Sequence, residues 1–305
     1  MTVAHVEIIE VAPRDGLQNE SAIVSTAAKV ALVRKAVAAG ARRIEVASFV
    51  HPGRVPQMAD AEQVCGTLGS LEGVTTIGLA LNRKGALRAL ATAVDEIGAV
   101  ACATDGFGKA NQGRTSNETV ADTIEIIGLA HAAGRRAQAT ISVAFGCPFE
   151  GEVEPARVAD IARRIASAEP HEIALGDTIG VATPDRVVEV MREVKAAAPG
   201  IPLRLHFHDT RNTAIANAWA ALGEGAARLD SSIGGCGGCP FAPGASGNLA
   251  TEDLLYLLAR AGVRCDPDLG AVSAIVPWLS GVVGRTLPGR LSNVAPFPPA
   301  GAPGA

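Results

Sequence analysis

Short apolar runs alternate along the chain with longer stretches rich in alanine. Eight of these runs have the length of a buried strand. They are VEIIEVA (6–12), RIEVASF (43–49), TTIGLAL (75–81), AVACAT (99–104), QATISVAF (138–145), EIALGDT (172–178), LRLHFHD (203–209) and RLDSSIGG (228–235). Apolar runs of this kind are typical of parallel strands that are covered on both faces. The pattern therefore predicts an α/β protein built on a parallel sheet.

Helical patterns fill the segments between the strands. The clearest of them are 25–40, 119–134, 154–170, 183–200 and 213–226. Several end in Gly or Pro-Gly, as helix C-termini often do. Eight strand–helix units, spaced roughly 25–40 residues apart, predict a single closed (β/α)₈ TIM barrel. A long Gly-rich loop, GGCGGCPFAPGASGN (234–248), follows the eighth strand.

No linker divides the barrel, so residues 1–290 are expected to form one catalytic domain. The remaining segment, 291–305, is rich in Pro and Gly, and we expect it to be disordered. A chain of 305 residues with 48% hydrophobic residues is large enough for a core of this size.

Charge and cysteine content exclude several classes of partner and location. The net charge is −4 and the Lys and Arg residues form no cluster, so nucleic acids and membranes are not expected partners. The N-terminal segment lacks the basic and long apolar regions of a secretory signal. Six cysteines are too few for a disulfide scaffold, which leads us to expect a cytoplasmic protein with reduced thiols.

The segment LRLHFHDT (203–210) places two histidines two positions apart in a predicted strand. Because side chains alternate along a strand, His206 and His208 project to one side and Asp209 to the other. From these residues alone, the pair could be core histidines with hydrogen-bond partners or the ligands of a metal ion.

Further polar residues stand at the C-terminal ends of the predicted strands. In a barrel these ends converge on one mouth, where active sites lie. The residues at this mouth are Arg14, Asp15, Glu45, Asp177, His206 and His208. Two imidazoles and a carboxylate suit Mg²⁺, Mn²⁺, Co²⁺ or Zn²⁺, and Asp15 is the best third ligand. Arg14 could hold a negative charge that develops on the substrate, form a salt bridge to Glu45, or do both.

Three other positions allow alternative interpretations. Asp177 could be catalytic, or it could stabilise a turn or cap a helix. Asn248, in SGN, has the pattern of a left-handed turn residue. The CGGC pair Cys236 and Cys239 could be redox-active or half of a zinc site, but no second CxxC exists. We favour a flexible loop that brings one thiol to the mouth.

Several segments together closely resemble the 3-hydroxy-3-methylglutaryl-CoA lyase family of metal-dependent barrel lyases. The segments are VAPRDGLQNE (11–20), SFVHPGRVPQM (48–58), GCPFEG (146–151), LGDTIGVATP (175–184), HFHDT (206–210) and GGCPFAPGASGNLATEDLLYLL (237–258). The resemblance extends from about residue 5 to about residue 290. It implies cleavage of the acyl-CoA thioester 3-hydroxy-3-methylglutaryl-CoA into acetyl-CoA and acetoacetate. It also implies a place in leucine catabolism and ketone-body formation. We expect a homodimer.

The resemblance also assigns roles to individual residues. The implied metal ligands are Asp15, His206, His208 and Asn248, and the implied metal is Mg²⁺ or Mn²⁺, with Co²⁺ or Zn²⁺ as alternatives. Arg14 corresponds to the arginine that stabilises the enolate. Further active-site positions fall on Glu45, Asp177 and Cys239, and the base could be His206, Asp15 or a metal-bound water. Cys236 matches no cysteine of the family.

Some positions depart from the family pattern. Ser21 replaces a usual lysine, Arg211 follows HDT where an aromatic residue is usual, and ALN (80–82) and ATDGFGKANQG (103–113) replace other family sequences. These departures leave the acyl group open, and Arg211 could favour a different or additional carboxylate. Citramalyl-CoA or a longer branched 3-hydroxyacyl-CoA is the alternative substrate. A non-catalytic metal- or CoA-binding barrel is disfavoured, because it would have no reason to keep Arg14, Asp15, His206 and Cys239 together.

Overall fold

The eight predicted strands close into one barrel. The computed structural model describes residues 3–238, 247–295 and 297. The strands are β1 (Glu7–Glu10), β2 (Arg43–Ser48), β3 (Thr75–Ala80), β4 (Glu96–Cys102), β5 (Arg136–Ser142), β6 (Ile173–Asp177), β7 (Leu203–Phe207) and β8 (Arg228–Ser231). All neighbours are parallel, and β1 pairs with β8 to close the sheet. The prediction of a single (β/α)₈ barrel is confirmed.

Helices cover the outside of the barrel. Those in the described residues are α1 (Thr26–Ala38), α2 (Ala61–Leu68), α3 (Arg83–Leu90), α4 (Asp105–Gln112), α5 (Ser116–Ala132), α6 (Pro155–Ala166), α7 (Pro184–Ala197), α8 (Ala214–Gly223), α9 (Thr251–Arg260) and α10 (Leu269–Val283). The start of α5 is set by a capping box, in which Thr115 and Glu118 satisfy each other's backbone N–H groups. In the part of the chain that is described, no helix is both long and apolar enough to cross a membrane.

Both faces of the strands are buried, which explains their unbroken apolar runs. The outward faces pack under the helices and form the main core, in which Ile44, Ile97 and Ile141 are fully buried. A small second cluster, Ile9, Val11 and Ile77, is separate from that core. Since Ile9 and Ile77 belong to strands whose other face supports the helices, this cluster fills part of the barrel interior.

Charged side chains occupy another part of the interior. Arg43 is only 2% exposed, and its Nη2 donates hydrogen bonds to Glu96 at 2.6 Å and to Glu172 at 2.7 Å. Buried charges are tolerated only when paired in this way. Strand β4 begins at Glu96 and not at residue 99 as predicted. The apolar pattern missed this start, because it does not show that a charged residue can point into the barrel and be paired there.

The segment after β8 differs in detail from the prediction. The strand ends at Ser231, because a short helical turn over Ile233–Gly235 follows it, with Gly234 at φ 70° and Gly235 at φ 65°. The middle of the Gly-rich loop, 239–246, lies outside the described residues. So do 296 and 298–305, and the predicted domain boundary after residue 290 stays a prediction. Within the described range 247–295, Asp253 accepts hydrogen bonds from the backbone N–H groups of Arg290 and Leu291.

Candidate metal centre and active site

A buried cluster of three potential metal ligands lies at the C-terminal mouth of the barrel. Asp15 belongs to a single wide helical turn, Ala12–Gly16, of the π type that often occurs at functional sites. Its Oδ2 lies 3.9 Å from Nε2 of His206 and 3.7 Å from Nε2 of His208. Ligand atoms that each lie about 2.0–2.3 Å from one ion are separated by roughly 3–4.5 Å. The three side chains therefore fit one divalent ion.

The two imidazoles are held so that the same ring nitrogen of each faces Asp15. Nδ1 of His206 lies 3.0 Å from Oδ2 of Asp230, and Nδ1 of His208 lies 3.1 Å from the backbone oxygen of Asp177. An oxygen that accepts a hydrogen bond from Nδ1 holds the proton of the neutral ring on that nitrogen. The lone pair is then on Nε2, as in histidines that bind metals through Nε2.

Asn248 adjoins the cluster through its amide nitrogen. Its Nδ2 donates to Oδ2 of Asp15 at 3.0 Å and to the backbone oxygen of Cys236 at 3.1 Å. Its Oδ1 is buried and has no hydrogen-bond partner in the described residues. A buried acceptor without a partner is costly, and a cation would satisfy it. That this oxygen completes the ligand set stays a prediction.

The charges around the cluster favour an ionised carboxylate. Burial raises the pKa of Asp15, but the Arg14 guanidinium and the two imidazoles outweigh burial and hold that pKa well below its usual range. Burial lowers the pKa of His208 to about 4, so its imidazole is neutral near pH 7. Burial also lowers the pKa of His206, but its contact with Asp230 and the Asp15 charge give a net increase. The cluster thus offers negative charge and a neutral imidazole to a cation.

Arg14 is fixed beside the cluster by two carboxylates. Its Nε donates to Oε2 of Glu45 at 2.7 Å, and its Nη1 donates to Oδ1 of Asp15 at 2.6 Å. The predicted salt bridge to Glu45 is confirmed, with Nη2 also 2.5 Å from the same oxygen. These contacts use three of the five N–H groups of the guanidinium. The other two have no acceptor among the described residues, so these contacts do not prevent Arg14 from binding an oxygen of a ligand.

The carboxylate of Asp177 is used by the loop that follows β6. Its Oδ1 accepts a hydrogen bond from the N–H of Val181 at 2.8 Å, and its Oδ2 accepts one from Ala182 at 3.1 Å. Burial raises the pKa of this carboxyl to about 6. The hydrogen bonds support the turn-stabilising alternative, and the backbone of the same residue positions His208. A catalytic role for Asp177 stays a prediction.

Two residues that the sequence reasoning missed lie beneath the cluster. Asp230 in β8 contacts His206, and its Oδ1 lies 3.3 Å from Nε of Arg204 in β7. Both residues are buried. Strand alternation could have found Arg204, because it lies two positions before His206 and thus on the same face.

A cavity of about 650 Å³ opens above these residues. One part of its wall contains Arg14 and the metal-ligand cluster. Small and apolar residues form another part of the wall, and they are Leu79, Val100, Thr140, Ser142 and Gly176. This volume is typical of a site for a small molecule or cofactor.

Arg211 does not belong to the cavity wall. Its side chain reaches the loop after β6, where Nη1 donates to the backbone oxygens of Ile179 at 2.9 Å and Gly180 at 3.1 Å. The guanidinium is therefore used to join two loops, which gives no support to a role in selecting an additional carboxylate.

Cys236 is buried under the loop stem, with its Sγ 3.6 Å from the backbone oxygen of Gly16 and 3.6 Å from Oε1 of Glu20. Burial raises the pKa of this thiol well above its usual range, so it stays protonated and unreactive. Cys239, the predicted active-site cysteine, lies outside the described residues.

Comparison with known proteins decides the family. The HMGL-like family model matches residues 5–276. The chain belongs to the HMGL-like family. Among its relatives is the (R)-citramalyl-CoA lyase of Chloroflexus aurantiacus, which is 40% identical over 304 residues. The alignment covers 96% of each chain. The hydroxymethylglutaryl-CoA lyase of Pseudomonas mevalonii is 41% identical over 279 residues, which cover 92% of this chain and 93% of the relative.

Solved structures agree with this membership. An HMG-CoA lyase of Acinetobacter baumannii, in complex with coenzyme A and 3-methylmalate, superposes with a TM-score of 0.90 at 35% identity. The superposition covers 98% of this chain and 100% of the other. The resemblance inferred from the sequence motifs is confirmed, and with it the assignment of the protein to a family of lyases.

Proposed function

We propose that the protein is a metal-dependent carbon–carbon lyase that cleaves 3-hydroxy-3-methylglutaryl-CoA into acetyl-CoA and acetoacetate. The observation that carries this function is the buried group of Asp15, His206 and His208 beside Arg14, in a chain about 40% identical to hydroxymethylglutaryl-CoA lyases. The family members compared above act on CoA thioesters according to their names, which supports an acyl-CoA as the partner of the cavity.

The reaction is a retro-Claisen cleavage. A base takes the proton of the tertiary hydroxyl at C3, the C2–C3 bond breaks, and its electron pair passes into the thioester enolate. C3 becomes the ketone of acetoacetate, and a proton added to C2 gives acetyl-CoA. A divalent ion held by Asp15, His206 and His208 would act as a Lewis acid that lowers the pKa of the hydroxyl.

The described side chains supply the remaining requirements. Arg14 has two N–H groups left for the enolate oxygen, and Glu45 keeps the guanidinium in one orientation. Of the candidate bases, Asp15 keeps lone pairs that face the space between the ligands, whereas His206 has none left if Nε2 binds the ion and Nδ1 donates to Asp230. For the final proton we propose Cys239, on the basis of its position in the family motif.

The ligand atoms indicate which metal the protein binds, and the products indicate where it acts in the cell. Oxygen ligands with two imidazole nitrogens suit Mg²⁺ or Mn²⁺ best, with Co²⁺ or Zn²⁺ as alternatives. We propose a cytoplasmic homodimer in leucine catabolism and ketone-body formation, a place consistent with acetoacetate as a product.

Citramalyl-CoA is the second candidate substrate. It is favoured by the 40% identity to the citramalyl-CoA lyase of Chloroflexus aurantiacus, which extends over 96% of both chains. The same site could perform this cleavage, since the hydroxyl, the thioester and the bond that breaks are of the same type.

A panel of thioesters would distinguish these substrates. The protein would be incubated with 3-hydroxy-3-methylglutaryl-CoA, citramalyl-CoA and a longer branched analogue in the presence of Mg²⁺ or Mn²⁺, and products identified by mass spectrometry. We expect the highest kcat/KM for 3-hydroxy-3-methylglutaryl-CoA, and loss of all activity on chelation. A higher value for citramalyl-CoA would establish the second candidate. Absence of acetyl-CoA from every thioester would contradict the lyase function.

A further inference from the structure

Asp230 contacts Nδ1 of the proposed metal ligand His206, and both residues line the cavity. We propose that Asp230, held in place by Arg204, is a positioning residue that fixes the tautomer and direction of the His206 ring. The proposal rests on the proposed metal-dependent function, because the position of the ring matters only if Nε2 binds an ion.

The carboxylate of Asp230 is engaged on both sides. It is 5% exposed, its Oδ2 lies 3.0 Å from Nδ1 of His206, and its Oδ1 lies 3.3 Å from Nε of Arg204. Because β7 and β8 are neighbours in the barrel, one carboxylate can bridge the histidine and the arginine. The contact with Arg204 is an ion pair without hydrogen-bond geometry, which keeps Oδ1 turned towards the guanidinium, while the hydrogen bond that Oδ2 accepts fixes the imidazole.

Arg204 is itself anchored to the charged interior of the barrel. Its Nη1 lies 3.3 Å from Oε1 of Glu172, and the same oxygen accepts a hydrogen bond from Arg43 at 2.7 Å. A continuous series of alternating charges therefore joins the barrel interior to the metal-ligand cluster. Arg204 also compensates the buried charge of Asp230, which would otherwise be costly.

An ionised carboxylate only accepts hydrogen bonds, so it requires the proton of His206 to be on Nδ1. In the neutral ring Nε2 is then unprotonated, and it faces Asp15. The ring of His208 is held in the same way by the backbone oxygen of Asp177. Side-chain substitution can therefore disturb the tautomer of His206 without removing the acceptor of His208.

Asp230→Asn provides a specific test of this argument. A guanidinium can donate hydrogen bonds but cannot accept them. The amide oxygen of the variant should therefore face Arg204, and its NH₂ group should face Nδ1 of His206. This arrangement favours the tautomer with the ring proton on Nε2, which competes with metal binding and weakens it. Asp230→Ala leaves the tautomer free but creates a cavity and an unpaired guanidinium. A packing role predicts greater damage from Ala, whereas the positioning role predicts at least equal damage from Asn.

Mn²⁺ dissociation constants would be measured by titration calorimetry for the wild type, both variants and a control. The control is Asp95→Asn, which removes a carboxylate that accepts from the N–H and Oγ1 of Thr76, outside the site. We expect Asp230→Asn to weaken Mn²⁺ binding by about 10–100-fold, the usual effect of losing such a partner. The control should bind as the wild type does. Wild-type affinity in Asp230→Asn, or a much larger loss in Asp230→Ala, would overturn the proposal.

A measurement on the wild type keeps the proposal testable if the variants do not fold. Two-dimensional ¹H–¹⁵N spectra of the metal-free protein at alkaline pH report which ring nitrogen of His206 carries the proton. We expect Nδ1–H, and Nε2–H would overturn the proposal. If the wild type shows Nδ1–H but binds no Mn²⁺, the metal-dependent function fails while the tautomer assignment stands.

Discussion

Replacing Arg14 by lysine tests the role of the guanidinium in the reaction. The arginine donates to Glu45 at 2.7 Å and to Asp15 at 2.6 Å, and two of its N–H groups have no acceptor among the residues that the structure describes. A lysine keeps the charge, but its single ammonium cannot reproduce both contacts and also reach the enolate oxygen. Losing one preorganised donor to an oxyanion typically costs about 2.7–4 kcal/mol of transition-state stabilisation.

Arg14→Lys should therefore lower kcat by about 10²–10³-fold, with little change in KM, because the lost contact forms only as the enolate develops. Steady-state kinetics with 3-hydroxy-3-methylglutaryl-CoA at saturating Mn²⁺ would measure both constants. Arg192→Lys is a matched control, since Arg192 forms a two-point pair with Glu224 and neither residue lines the cavity. An increase confined to KM would refute the reasoning, because it would show that Arg14 binds substrate and transition state equally.

The remaining predictions concern a buried carboxyl and the two thiols of the loop. Burial raises the pKa of Glu10 from 4.5 to about 7, so the folded state loses stability as the pH rises from 4.5 to about 7 and no further above it. In urea unfolding, Glu10→Gln should reduce the pH-dependent change in the free energy of unfolding by about 1–3 kcal/mol. An unchanged pH dependence would contradict the raised pKa of Glu10. Cys239→Ser should abolish most turnover but leave the Mn²⁺ dissociation constant unchanged, because the thiol is not a ligand; full activity would exclude it from the mechanism. Cys236→Ser should retain activity in dithiothreitol, since its thiol is buried and protonated, and a large loss would contradict a structural role.

Local patterns were sufficient to predict the barrel and the position of the histidines. Each strand is an apolar run because helices cover one face and the barrel interior covers the other. Strand alternation places His206 and His208 on one face, and barrel geometry brings them to the mouth that also contains Asp15. These inferences need only the period of the pattern and the end of the strand.

Contacts between distant charges could not be predicted in this way. Arg43 pairs with Glu96 and Glu172, which are 53 and 129 residues away in the chain. Alternation indicates the face on which a charged side chain lies, but not its partner across the barrel. For the same reason, the contact between Asp230 and His206 and the use of the Asp177 carboxylate by backbone N–H groups became visible only in the structure.

The central claim is that one divalent ion, held by Asp15, His206 and His208, organises the lyase site. An anomalous difference map from crystals soaked in Mn²⁺ tests it most directly. The account predicts one strong peak about 2.0–2.4 Å from an Oδ atom of Asp15 and from Nε2 of both histidines. A peak elsewhere in the barrel mouth, or none at saturating Mn²⁺, would contradict it.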